Sequence, residues 1–197
     1  MASIAESHYS PEEYLALERK SESRSEYVNG GIYAMSGASR EHNLISLNIA
    51  SELRSHLRSQ PCEVYVSDMR VKVNATGTYT YPDVVAVCGE PEFEDAQVDT
   101  LTNPTVVIEV LSPSTEGYDR GDKFAHYRRL ASIREYVLVA QDKVRVEHFI
   151  RRDDASGQWV LTEISYPEGT LRLETIGCDL SLRDIYDRVE FSAITVG

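Results

Sequence analysis

Residues 81–88 read YPDVVAVC, and residues 104–130 read PTVVIEVLSPSTEGYDRGDKFAHYRRL. The run from Pro104 to Leu111 has strand length, is rich in Val and Ile, and is broken by Ser112-Pro113. Such a continuous apolar run predicts a strand covered on both faces. A helix is predicted from about Tyr118 to Ala131, and Glu135–Ala140 (EYVLVA) predicts another buried strand. Strand, helix and strand in that order predict a parallel crossover. Each of the two opening runs carries one carboxylate, Asp83 in the first and Glu109 in the second. A buried charge is costly unless it is paired or bound to a metal, so both acids need a partner.

The flanking chain is read from the same signals. Ser10-Pro11-Glu12-Glu13 predicts a helix start with a capping box, running to about Lys20. Asn29-Gly30 predicts a tight hairpin turn within residues 23–37. Residues 40–59 have helical periodicity, with Leu44, Leu47, Ile49, Ala50, Leu53 and Leu57 as the expected apolar face. Two short strands are expected in Cys62–Asn74 around Ser67-Asp68, with Arg70 and Lys72 on one solvated face. Tyr79–Cys88 is expected as one strand. The acidic stretch Gly89–Asn103 is expected as a solvated loop with few packing duties. After Gln141 the pattern predicts antiparallel strands, with turns at 154–157 and 167–169 and a short helix at 179–189. One mixed α/β or α+β domain over residues 1–197 follows.

Composition narrows the class. The chain has 197 residues, 42% of them hydrophobic and 26% charged, which is ordinary for a globular protein. No apolar run is long enough to cross a bilayer, and the first residues, MASIAESHYSPEEY, lack the features of a secretory signal. No membrane partner is expected, and a cytoplasmic location is. Cys62, Cys88 and Cys178 are odd in number and far apart, so they are expected as apolar fillers in a reducing cytosol rather than as a disulfide frame or zinc site. The net charge of −12 argues against strong nonspecific nucleic-acid binding, which rests on phosphate neutralisation by Lys and Arg.

Asp83 and Glu109, if their strands lie side by side, make a minimal site for a hard divalent cation, with the Val110 backbone carbonyl as third ligand. A nearby ammonium would steady an attacking water or developing negative charge. The motifs YPDVVAV, IEVLSPST and DRGDKFAHY resemble those of the PD-(D/E)XK nuclease superfamily. Within it, the chain is similar to the Uma-type family of restriction-endonuclease-like proteins. The resemblance spans about Tyr27 to Val146. It implies a restriction-endonuclease-like core over about residues 24–146, with a central mixed sheet flanked by helices, and an antiparallel β extension over about 147–197.

The resemblance further implies an endonuclease acting on DNA with Mg²⁺ or Mn²⁺, and a homodimer. Pro82-Asp83 matches the PD element and Glu109 the acid of the second element. The family's Lys, two residues after that acid, is Leu111 here. Lys123 of the following helix is the expected replacement, with Asp119 and Tyr127 each four residues away on the same helix face. His42 is expected to line the cleft. An acid from the first core helix joins some sites of the superfamily, and Glu41 and Glu52 are the candidates. The competing reading is a module that keeps the fold and binds or assembles without catalysis, supported by the charge of −12 and by Leu111. A phosphoesterase acting on a small substrate is a third. Glu109 paired with Lys123 or Arg120 for structure alone would satisfy the same residues.

Overall fold

The computed structural model describes residues 8–153 and 156–191. The N-terminal seven residues and positions 154 and 155 of the expected turn lie outside them.

Ser10 caps α1 (Pro11–Glu18) through a reciprocal capping box with Glu13. β1 (Ser25–Val28) and β2 (Gly31–Ala34) form the hairpin, with Asn29 and Gly30 both at positive φ. Then come α2 (Arg40–His56), β3 (Cys62–Val66), β4 (Arg70–Val73), β5 (Thr78–Thr80), β6 (Val84–Cys88), the short β7 (Thr100–Leu101) and β8 (Val106–Leu111). The crossover helix has three parts: α3 (Glu116–Tyr118), a π-helical turn (Asp119–Lys123) and α4 (Phe124–Tyr127). β9 (Glu135–Ala140), β10 (Val146–Arg151), β11 (Trp159–Ile164), β12 (Thr170–Leu173), β13 (Cys178–Ser181) and α5 (Leu182–Ile185) complete the order.

A six-stranded mixed sheet, β11-β10-β9-β8-β6-β3, forms the centre. β8 and β9 are parallel, as the crossover predicts, and the other pairs are antiparallel. Because side chains alternate across a strand, the sheet feeds two cores. Val84, Ala86, Val106, Ile108, Val110, Val137 and Val139 face α2, α5 and the β12–β13 hairpin. Val85, Val87, Val107, Leu111, Tyr136 and Leu138 face the crossover helix and β4. α2 buries Ile45, Ile49 and Leu53, while Leu47 is 65% exposed. The apolar face is therefore turned from the expected one, because the spacing of four through residues 45, 49 and 53 defines the stripe.

The second sheet, β2-β1-β5-β4-β7, carries the N-terminal hairpin. The expected strand Tyr79–Cys88 is two strands, one in each sheet. Proline lacks the N–H that a ladder needs, and the break falls at Pro82-Asp83, between β5 and β6. β3 and β4 likewise belong to different sheets.

Three further expectations are corrected. Arg70 is buried, with its guanidinium 2.8 Å from Asp99 and hydrogen bonds donated to Thr100 and Tyr81. Lys72 pairs with Glu94 at 2.5 Å. The acidic stretch is therefore tied down: Arg19 grips Asp95 and Asp99 at 2.9 and 2.8 Å, and the two arginines hold the Asp99 carboxyl below the usual range. Finally, Cys62 and Cys88 form a disulfide. Antiparallel pairing of β3 with β6 sets these two residues directly opposite each other. Only Cys178, buried and free, is the apolar filler expected. Among the described residues, no helix is long and apolar enough to cross a membrane.

Alkylation of the denatured, unreduced protein is expected to label one cysteine, and all three after reduction. Three labels without reduction would rule the bridge out.

Candidate active site

Asp83 stands one step beyond the Val84–Ile108 pair of β6 and β8, so the antiparallel register sets it across from Glu109. Leaving the ladder at Pro82 frees the Asp83 side chain to turn back. Its Oδ2 accepts the Val110 N–H at 2.7 Å. The same oxygen lies 3.2 Å from Nε2 of His42, on the first turn of α2, and both side chains are about 15% exposed. Burial pulls the His42 pKa down, but Asp83 overrides it and the imidazole ends above its ordinary value; Val110 backbone contact adds to the rise.

Glu109 sits between Val107 and Leu111 on the sheet face under the crossover helix, and is 3% exposed. Its Oε1 lies 2.9 Å from Lys123 Nζ and accepts the Tyr127 hydroxyl at 3.2 Å. Tyr127 also bonds Thr80 Oγ1 at 2.8 Å. Burial pushes the Glu109 carboxyl well up, against the pull of Lys123 and with further repulsion from Asp119, Asp83 and Glu26.

Lys123 is buried among three acids, Glu109, Glu26 and Asp119. Glu26 Oε1 is 3.0 Å away and Asp119 Oδ1 is 3.6 Å away. Burial alone would drive the ammonium down. Glu109, Glu26 and Asp119 more than reverse this, so the lysine keeps its proton. Asp119 is itself raised by burial despite Lys123. The π-helical turn that carries Asp119 and Lys123 is a departure from α geometry of the kind that clusters at functional sites. The Tyr136 hydroxyl, from β9, donates to the Asp119 carbonyl at 2.9 Å and anchors the turn to the sheet.

The structure thus brings together the residues singled out from the sequence: Asp83, Glu109, Val110, Lys123, Asp119, Tyr127 and His42. Leu111 packs in the core on the Glu109 face, and Lys123 reaches Glu109 from the helix instead. The extra acid does not come from α2, as Glu41 or Glu52 would require. It is Glu26 of β1, which also accepts the Tyr81 N–H at 3.2 Å. Nothing local marks Glu26, since a Glu in a hairpin ordinarily faces water. The Tyr118 hydroxyl, raised by burial and by Glu26, is buried without a protein partner. A cavity of about 1190 Å³ exposes these groups, with Arg129 and His126 also on its wall.

Three carboxylates (Glu26, Glu109 and Asp119) thus surround one ammonium, and a fourth, Asp83, lies against His42. Among the described residues, no three His, Cys, Asp or Glu side chains converge as a ready-made ligand cluster. The donor chemistry nevertheless suits a divalent cation: carboxylate oxygens in surplus over the available positive charge, beside a backbone carbonyl.

Fold and site together define a nuclease-like α+β protein. A family model described as "Uma2: Putative restriction endonuclease" matches residues 11–184, and the chain belongs to that family. Two uncharacterized proteins of Synechocystis are similar. One, slr1290, is 36% identical over 182 residues, covering 92% of this chain and 93% of its own. The other, sll1609, is 38% identical over 152 residues, covering 77% and 85%. A crystal structure titled a "putative nuclease belonging to DUF820", from Anabaena variabilis, has the same fold. Its TM-score is 0.72 at 17% identity, over 90% of this chain and 97% of that one.

Replacing Lys123 by Met leaves Glu109 buried without its cation and is expected to lower unfolding free energy by about 3–5 kcal/mol. Adding Glu109→Leu is expected to recover part of that loss. Chemical denaturation of the two variants beside the parent measures both. An unchanged midpoint in Lys123→Met would mean that the pair contributes nothing.

Proposed function

We propose that this chain is a metal-dependent endonuclease that hydrolyses phosphodiester bonds in DNA, with Asp83, Glu109 and Lys123 as its catalytic residues. The observation that carries the reading is Lys123 Nζ at 2.9 Å from Glu109, an ammonium delivered from the helix beside a strand whose own position 111 is apolar. Asp83, Glu109 and the Val110 carbonyl are the groups that would hold Mg²⁺ or Mn²⁺. The cation, when bound, supplies positive charge against the phosphoryl oxygens and makes a nearby water more acidic.

The chain's own residues do the rest. The Val110 N–H fixes one oxygen of Asp83, a residue that lines the cavity. The surrounding carboxylates favour the ammonium form of Lys123. It positions the attacking water and offsets charge that builds on the phosphate. Glu26 fixes Lys123 from the opposite sheet. Arg129 and His126 at the cavity wall meet the backbone of the polymer, giving local cationic contact on a chain of net charge −12.

The same reading makes the protein a cytoplasmic homodimer, since cutting a duplex takes two sites. β11 is one of the two edges of the central sheet and exposes Val160 and Leu161, the kind of edge that pairs with another copy. Light scattering is expected to give twice the chain mass, and Leu161→Lys to shift it toward the monomer.

Supercoiled plasmid and branched DNA, incubated with Mn²⁺ or Mg²⁺, test the activity. Asp83→Ala, Glu109→Ala and Lys123→Ala are each expected to slow cleavage about 100-fold or more, and EDTA to stop it. Cleavage that survives all three substitutions overturns the site. The second reading, a non-catalytic binding module, is favoured by one observation: Lys123 and Tyr127 already satisfy Glu109 inside the protein. Wild-type protein that binds DNA but never cuts it, with either metal, would select that reading. Cleavage of nucleotides but not polymers would point to a small-substrate phosphoesterase.

A further inference from the structure

We propose that His42 is a nitrogen ligand of the cation, making the centre a mixed carboxylate–imidazole site that favours Mn²⁺ over Mg²⁺. The inference rests on the metal-dependent reading above and adds a ligand to it.

The geometry is specific. The ring of His42 is set against two of the three groups assigned to the metal. Its Nε2 is 3.2 Å from Asp83 Oδ2, and it also contacts the Val110 backbone. Those two groups are joined to each other by the Val110 N–H bond to Asp83. The backbone that carries the ring is held in place. Ser39 caps α2 by accepting the His42 N–H at 3.1 Å, and Ser46 Oγ bonds the His42 carbonyl at 2.9 Å. A side chain on the first turn of a capped 17-residue helix has a backbone that moves little, and His42 lines the cavity.

The two nitrogen groups of the site lie against different acids, and His42 would ligate a metal as the neutral imidazole. Lys123 is engaged by Glu109 and Glu26, and His42 is engaged by Asp83. With Lys123 committed to Glu109, the donors on the Asp83 side are the free oxygen of Asp83, the Val110 carbonyl and the imidazole nitrogen. Mg²⁺ prefers an all-oxygen octahedron and keeps its waters. Imidazole raises affinity for transition metals over Mg²⁺. A ring pointed at the shared oxygen ligands therefore biases the site toward Mn²⁺. His42 precedes Asp83 by 41 positions, so no ligand spacing in the sequence signals it.

Electron spin echo spectroscopy of Mn²⁺ bound to the full-length protein, with and without uncut duplex DNA, reads the ligand directly. Wild type is expected to show nitrogen coupling that changes when its histidines are ¹⁵N-labelled. His42→Gln keeps an oxygen donor and is expected to retain weaker Mn²⁺ binding without that coupling. By calorimetry, its Mn²⁺ affinity falls at least roughly tenfold, as loss of a ligand-supporting group does, while its Mg²⁺ affinity changes less. Should His42→Gln fail to fold, the labelled wild type still decides whether any histidine is bound. Mn²⁺ bound without histidine coupling, or with coupling that persists in His42→Gln, overturns the assignment and leaves the metal-dependent reading standing. No Mn²⁺ binding at all, with or without DNA, overturns both.

Discussion

A carboxylate buried in an apolar sheet needs compensation, and Glu109 imposes that need on everything around it. It lies in β8 between valine and leucine, covered by a helix, and cannot remain charged there alone. Lys123 answers it from the helix, and Glu26 and Asp119 in turn hold Lys123. The π-helical turn, the Tyr136 bond to its carbonyl and the docking of the hairpin all serve to bring that ammonium to one point. Acids still outnumber the ammonium there. A site with that imbalance has a standing attraction for cations, whatever the chain does with them.

The break at Pro82 is the second organising element. It passes the chain from one sheet to the other and leaves Asp83 outside the ladder, at the seam. An aspartate within a regular strand would spend its position on packing. At the seam it turns back onto Val110 and meets His42 from α2. The site therefore draws on both sheets, the first long helix and the crossover helix.

Much of this was legible in the sequence, because the signals are local. Val106–Leu111 and Glu135–Ala140 are short, mostly apolar runs rich in Val, and runs of that kind joined by a helix read as a buried parallel pair. Asp83, Glu109 and Lys123 stood out as charges embedded in or beside them. What stayed hidden depends on contacts between distant segments. Glu26 is an ordinary hairpin residue until the second sheet docks on the crossover helix. Cys62 and Cys88 become partners only once the register of β3 against β6 is set. Arg70 reads as a surface charge until Asp99 arrives from a loop that composition marked as solvated.

The Glu26–Lys123 contact joins residues 97 positions apart across two sheets. Contacts of such separation carry a cost in loop-closure entropy that must be met before they stabilise the fold. Emerging from the ribosome, the chain shows Glu26 early and Asp83 midway. Lys123 has no anchored turn until Tyr136 has followed. All four acids of the centre precede Lys123 in the chain, so a half-made chain carries its acids without the ammonium that organises them.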